Sequence, residues 1–95
     1  MRFEWDDEKE QKNIIKHGID FDTAAVVFQD INRLEFYDEK HSIDEDRYIT
    51  IGLINGEAYI VMVVYTERDE AIRLISARKA TKQERRMYYD YSQRD

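Results

Sequence analysis

Between residues 78 and 86 the chain reads RKATKQERR, which places Arg78, Lys79, Lys82, Arg85 and Arg86 within nine positions. Guanidinium and ammonium groups at this density suit the phosphates of a polyanion, and arginine's planar fork can grip one phosphate through two parallel hydrogen bonds. Arg78 is the sharpest candidate. It ends a strand-like run, AIRLISAR (71–78), whose alternation groups it with Ile72, Leu74 and Ser76. The competing reading is a strand-end arginine paired with one of the chain's many carboxylates.

A second group of candidates lies upstream. Arg47 opens the alternating run RYITIGLI (47–54), and the hairpin signal Asn55-Gly56 follows it. A tight turn there sets Arg47 opposite Val64 and diagonal to Thr66, so both can serve one site at the same sheet end. Arg68 and Arg73 add cations along the next strands, Arg68 being equally readable as a solvated charge. Two histidines could run acid–base chemistry near neutral pH. His17 falls at a helix end, where a ring can satisfy terminal carbonyls. His41 falls in an acidic loop that can fold toward Arg47, as an acid or base or as an ordinary loop residue. If neither acts, Lys79 or Tyr48 must, with a shifted pKa.

The elements that must hold these side chains are legible in part. Asp6 suits the N-cap of a first helix running to about His17, and Gly18 suits its left-handed stop. Asp20 is placed to cap a short second helix, in which Phe21, Ala24, Ala25 and Phe28 share a face. Trp5 reads as a core anchor for the first helix. Strands are expected at RLEFY (33–37), 47–54, AYIVMVVYT (58–66) and 71–78, with polar connections at 38–46 and 67–70. Thr81-Lys82-Gln83-Glu84 fits a capping box that opens a terminal helix to about Tyr91, making Glu84 structural. The expected architecture is α+β: two N-terminal helices, a four-stranded antiparallel meander sheet and a C-terminal helix, with the helices on one face.

Composition narrows the function. The 95 residues make one expected domain, 1–95, with 42% hydrophobic content and no cysteine for disulfides or thiolate chemistry. No apolar run approaches a membrane span, so a soluble cytoplasmic protein is expected. The net charge of −6 hides an asymmetry: residues 1–67 carry 7 Lys/Arg against 16 Asp/Glu, and residues 68–95 carry 8 against 5. A local positive field on an acidic body can meet a polyanion at one face. The carboxylates of 38–46 lack EF-hand spacing, so no metal is expected.

FEWD (3–6), KHGIDF (16–21), the D-x-x-HS and E-D-R-Y segments of 38–48, YTER (65–68) and RLISARKAT-x-x-E (73–84) resemble the BrnT ribonuclease toxins of type II toxin–antitoxin pairs. The segments occur in family order across almost the whole chain. The resemblance implies a RelE-like fold, metal-independent RNA cleavage that stops translation, and no cofactor. It also implies a BrnA-like antitoxin with a DNA-binding domain, with DNA met only through that antitoxin, and a heterotetrameric complex. On that footing Arg78, Arg47, His41, Thr66 and Lys79 are the expected catalytic set. Lys82, Arg85, Arg86, Arg68 and Arg73 are the expected RNA contacts, and Met87, Tyr88, Tyr89 and Tyr91 the expected antitoxin surface. The alternatives are an inactive RelE-like interaction module and an RNA-binding regulator.

Overall fold

In a computed structural model of the chain, which describes residues 1–54 and 59–92, the first helix begins and ends where its caps predict. Asp6 has extended backbone and its carboxylate accepts the Lys9 N–H at 3.1 Å, opening α1 (Asp7–His17). Gly18 takes the left-handed conformation (φ 72°), and its N–H reaches the Ile14 carbonyl at 2.8 Å. α2 (Phe21–Ala25) and a 3₁₀ turn (Val26–Gln29) follow, burying Phe21, Ala24, Val27 and Phe28. Asp20 occupies the N-cap of α2 without a side-chain hydrogen bond. Glu10 of α1 takes that role, accepting the Phe21 N–H at 2.9 Å.

The sheet has five strands: β1 (Arg2–Glu4), β2 (Leu34–Tyr37), β3 (Tyr48–Leu53), β4 (Ile60–Arg68) and β5 (Ala71–Lys79), in the order β1-β5-β4-β3-β2. β2 to β5 form the expected antiparallel meander. β1 is an addition. It pairs parallel to β5, so the sheet is mixed rather than four-stranded and antiparallel. Three residues are too few to show alternation, and they merge in sequence with the lead-in to α1. The β4–β5 loop is only Asp69 and Glu70, both at positive φ (49° and 66°), as a two-residue I′ hairpin requires.

The Asn55-Gly56 turn lies outside the described residues, but the pairing around it is offset from a tight turn there. Leu53 pairs with Ile60, and the Ile54 N–H donates to the Tyr59 carbonyl at 3.1 Å. The offset is two residues, so every side chain keeps its face.

The layers differ from expectation in one larger respect. α1 and α2 cover one face, where Phe21, Ala24, Val27 and Phe28 pack on Val61, Val63, Tyr65, Leu74 and Ala77. α3 (Lys82–Ser92) covers the other, where Tyr88 packs on Leu34, Ile51, Ile60 and Met62. The helices therefore sandwich the sheet instead of sharing a face. β4 carries this double burden, which is why its run is apolar at both parities.

Two polar devices fix the sandwich. Asn13 of α1 is buried, and its side chain bonds both backbone groups of Ala77 (donating at 2.9 Å, accepting at 3.0 Å) and donates to the Ile19 carbonyl at 2.9 Å. It completes the β5 edge beyond the end of β1, as a neighbouring strand would. Asp30 accepts from the Leu53 N–H at 2.8 Å and from the Tyr88 hydroxyl at 2.5 Å, tying α3 to β3. Gly52 makes room for this: an added Cβ would sit 2.8 Å from Val27 Cγ2 and 3.0 Å from Asp30 Oδ2.

Candidate nucleic-acid interface

A bulge decides which cations share a face. Val64 pairs with Ser76 but Tyr65 pairs with Leu74, leaving Ile75 as the extra residue on β5. Parity therefore flips within β5. Ile72 and Leu74 join the α1/α2 core, whereas Ser76 and Arg78 pair with Val64 and Met62 on the α3 side. The sequence expectation that Arg78 shares a face with Ile72 and Leu74 is corrected by that one residue. Arg73 pairs with Thr66 and lies on the α3 side too, as does Arg47 by alternation from Ile49. α3 covers only part of this face. Beyond it lies a half-open strip of Phe36, Ile49, Val64 and Ser76, with arginines at both ends.

At one end of the strip the 38–47 loop is tightly drawn. The Asp38 N–H donates to the Arg47 carbonyl at 2.8 Å; the Ser42 hydroxyl donates to the Asp38 carbonyl at 2.6 Å and accepts the Arg47 N–H at 2.8 Å. Ser42 thus closes the loop from within. His41 stands on a 3₁₀ turn (Glu39–His41) with Nδ1 2.9 Å from Asp38 Oδ2. An ionised carboxylate accepts only, so Nδ1 carries the proton and Nε2 is left as the basic nitrogen. The imidazole is 59% exposed and Asp38 only 11%, so the carboxylate acts as a fixed anchor for an accessible ring.

His41 and Arg47 line one pocket of about 210 Å³, together with Ile43, Asp44 and Glu45. Arg47 has no ion-pair partner among the described residues. Arg68, by contrast, is held bidentately by Glu45 at 2.9 Å, and Arg73 meets Glu4 of β1 at 3.5 Å. Thr66 is 2% exposed and its hydroxyl donates to the Asp46 carbonyl at 2.7 Å, which anchors the loop to β4.

Arg78 lies at the other end. Met62, its partner, is four residues along β4 from Thr66, about 13 Å of strand. The five expected catalytic residues therefore do not converge: His41, Arg47 and Thr66 fall at one end and Arg78 at the other, while Lys79, paired with Val61, lies on the α1/α2 face over Tyr59. Arg78 forms a fork with Glu84, at 2.8 and 3.0 Å. Glu84 also accepts the Thr81 N–H at 2.8 Å while Thr81 accepts the Glu84 N–H at 3.1 Å, the reciprocal capping box expected at this helix start. One carboxylate thus caps α3 and orients Arg78. Burial works to raise its pKa, but the bonds from Arg78 and Thr81 outweigh it and hold the value below 4.5.

Around this pair the cations are open. Lys82, Arg85 and Arg86 are exposed and, like Lys79, have no ion-pair partner among the described residues. Lys79 lies 5.0 Å from the Tyr59 ring centroid. The aromatic side of α3 needs correction as an interaction surface. Tyr88 is 1% exposed and Met87 packs in the same core, so both belong to the fold; Tyr89 and Tyr91 are the exposed pair. Burial, then the bond to Asp30, raises the Tyr88 pKa, and burial pushes Tyr65 up to about 12.

Sequence reasoning passed over Asp38, Ser42 and Glu45 as site residues. The D-x-x-HS spacing, one turn from carboxylate to imidazole, was the available signal for the first two. Among the described residues no three His, Cys, Asp or Glu side chains gather as a metal site would require.

One sheet face of this small α+β protein thus carries arginines at both ends and, at one of them, an imidazole anchored by a carboxylate. Residues 5–84 match the family model described as the ribonuclease toxin, BrnT, of type II toxin–antitoxin systems, and the chain belongs to that family. No curated protein matches it significantly. The family role is that of a ribonuclease toxin, and a type II system implies a protein antitoxin as partner. Among the described residues no helix is long and apolar enough to cross a membrane.

Proposed function

We propose that this chain is a cytoplasmic, metal-independent endoribonuclease that stops translation and is silenced by a cognate antitoxin carrying a DNA-binding domain. The observation that carries the reading is the Asp38–His41 pair beside Arg47, on the sheet face that Arg78 shares. RNA lies across the half-open strip, with Arg78 and the α3 cations on its backbone. His41 Nε2 takes the 2′-OH proton, the 2′-oxygen attacks the adjacent phosphorus, and the 5′-oxygen leaves protonated by water. Arg47 faces the charge that builds on the phosphorane. Acid–base help of this kind is worth about 10²–10⁴-fold, and a cation at the developing charge adds to it.

Tyr89 and Tyr91 remain the proposed antitoxin contacts, in a heterotetramer of two toxins with an antitoxin dimer. The acidic first two-thirds of the chain speeds encounter with a basic partner. Expression without antitoxin tests the reading. The wild type halts growth with loss of intact RNA, and the Arg47→Ala, Arg78→Ala double variant is harmless. If the purified wild type leaves RNA intact, the protein is an interaction module or RNA-binding regulator instead.

A further inference from the structure

α1 belongs to the acidic part of the sequence, yet one side of it carries three lysines and no carboxylate. Lys9, Lys12, Lys16 and His17 recur at helical spacing and line a groove of about 340 Å³ against β5, with Asn13, Ile75 and Ser76 as the rest of its wall. No carboxylate lines this groove, although acids outnumber bases by 21 to 15 in the chain. None of the three lysines has an ion-pair partner among the described residues, whereas Arg33, Arg68, Arg73 and Arg78 each have one. An ordinary solvated helix face in so acidic a molecule would be expected to recruit i±4 carboxylates. Glu8 stands four residues before Lys12 but forms no ion pair with it among the described residues, and Glu10 is committed to the Phe21 N–H.

The groove is also joined to the site already described. Its wall includes Ser76, which the bulge turns onto the α3 side, two residues before Arg78 on the same strand. The Ser76 hydroxyl makes no hydrogen bond among the described residues, so a donor stands between the lysines and the arginine. Asn13 locks α1 to Ala77 between them, so the spacing of the two cationic groups is fixed rather than adaptable. From Lys9 to Lys16 the helix rises about 10 Å, enough for the ammonium groups to follow successive phosphates.

We propose that the α1–β5 groove is a second RNA-backbone site, which holds the single strand as it leaves Arg78. It rests on the ribonuclease reading and extends the substrate contact around the sheet edge, onto a helix that net charge alone would exclude. Lysines here act as point charges on phosphate oxygens, so the site is sequence-independent and strongly salt-dependent.

The test uses the purified chain and a 2′-O-methyl oligoribonucleotide, which binds but offers no 2′-OH for cleavage. Affinity is measured across a salt series for the wild type, for Lys9→Gln/Lys12→Gln/Lys16→Gln, and for Gln29→Glu/Ile31→Glu/Asn32→Asp. The last adds the same net negative charge at exposed positions away from the groove. Each lost phosphate contact flattens the slope of log K against log salt by about 0.7, so the lysine triple should flatten it by about 2 and weaken binding about 100-fold at 0.1 M salt. The charge-matched control should keep the wild-type slope. If the triple keeps it while Arg78→Ala weakens binding, the groove is overturned and the ribonuclease reading stands. If the wild type does not bind the oligonucleotide, both fall. A polyglutamate peptide that binds the wild type as tightly, with the same loss in the triple, overturns the assignment to RNA. Melting by circular dichroism confirms that each variant is folded.

Discussion

The two ends of the half-open strip are built on opposite principles. At the 38–47 end the groups around the unpaired Arg47 are fixed: Asp38 holds His41, Glu45 holds Arg68, and Ser42 ties the loop shut. At the α3 end only Arg78 is held by a carboxylate, that of Glu84, and Lys82, Arg85 and Arg86 stand without one among the described residues. Moving a proton requires an oriented acceptor within hydrogen-bond reach, which a tight loop supplies. Holding a polyanion requires field, which mobile, hydrated side chains supply without exact placement. Under the proposed function, this difference gives chemistry to one end and affinity to the other.

If that division is right, loosening α3 should damage binding and spare chemistry. Tyr88→Phe removes the hydroxyl that Asp30 holds, leaving a partly buried acceptor short of a donor. The expected loss is about 1–3 kcal/mol, read as a drop in Tm of several degrees. RNA affinity should fall with it, while the cleavage rate of bound RNA stays at the wild-type value. A Tyr88→Phe variant with unchanged Tm would show that α3 is held by apolar packing alone.

A smaller effect comes from pH, and it too should act at the α3 end. Glu84 has a depressed folded-state pKa, so its contribution is present above the unfolded value of about 4.5 and is lost as pH falls through the folded one. Tyr88 has a raised pKa, so its contribution is present below 10 and is lost as pH rises through the folded value. Stability measured by denaturant titration should therefore decline on both flanks. Glu84→Gln should flatten the acid flank and Tyr88→Phe the alkaline one. A Glu84→Gln variant that keeps the wild-type acid flank would contradict the role given to the Arg78 fork.

Much of this frame could be read from the sequence, because local signals carry it. Asp6, Gly18 and the Thr81–Glu84 box mark helix ends through hydrogen bonds that span only three or four residues. The four meander strands follow from alternation. What escaped depends on partners distant in sequence or on counting. β1 acquires its identity only by lying beside β5, and α3 its face only through Asp30, 58 residues before Tyr88. One extra residue at Ile75 reversed the face assigned to Arg78. The α1 lysines were hidden by a sum: Asp7, Glu8 and Glu10 cancel them in the sequence but lie outside the groove wall. The proximity of His41 to Arg47 was foreseeable from the loop's length; the part played by Asp38 was not, since a carboxylate in an acidic loop looks like any other.

Single-turnover cleavage at saturating RNA tests the division most directly, because it separates the rate of the bound complex from affinity. His41→Gln should cut that rate by about 10²-fold or more with little change in affinity. Lys82→Gln/Arg85→Gln/Arg86→Gln should weaken affinity and leave the saturated rate unchanged. A His41→Gln variant that cleaves bound RNA at the wild-type rate would contradict the account.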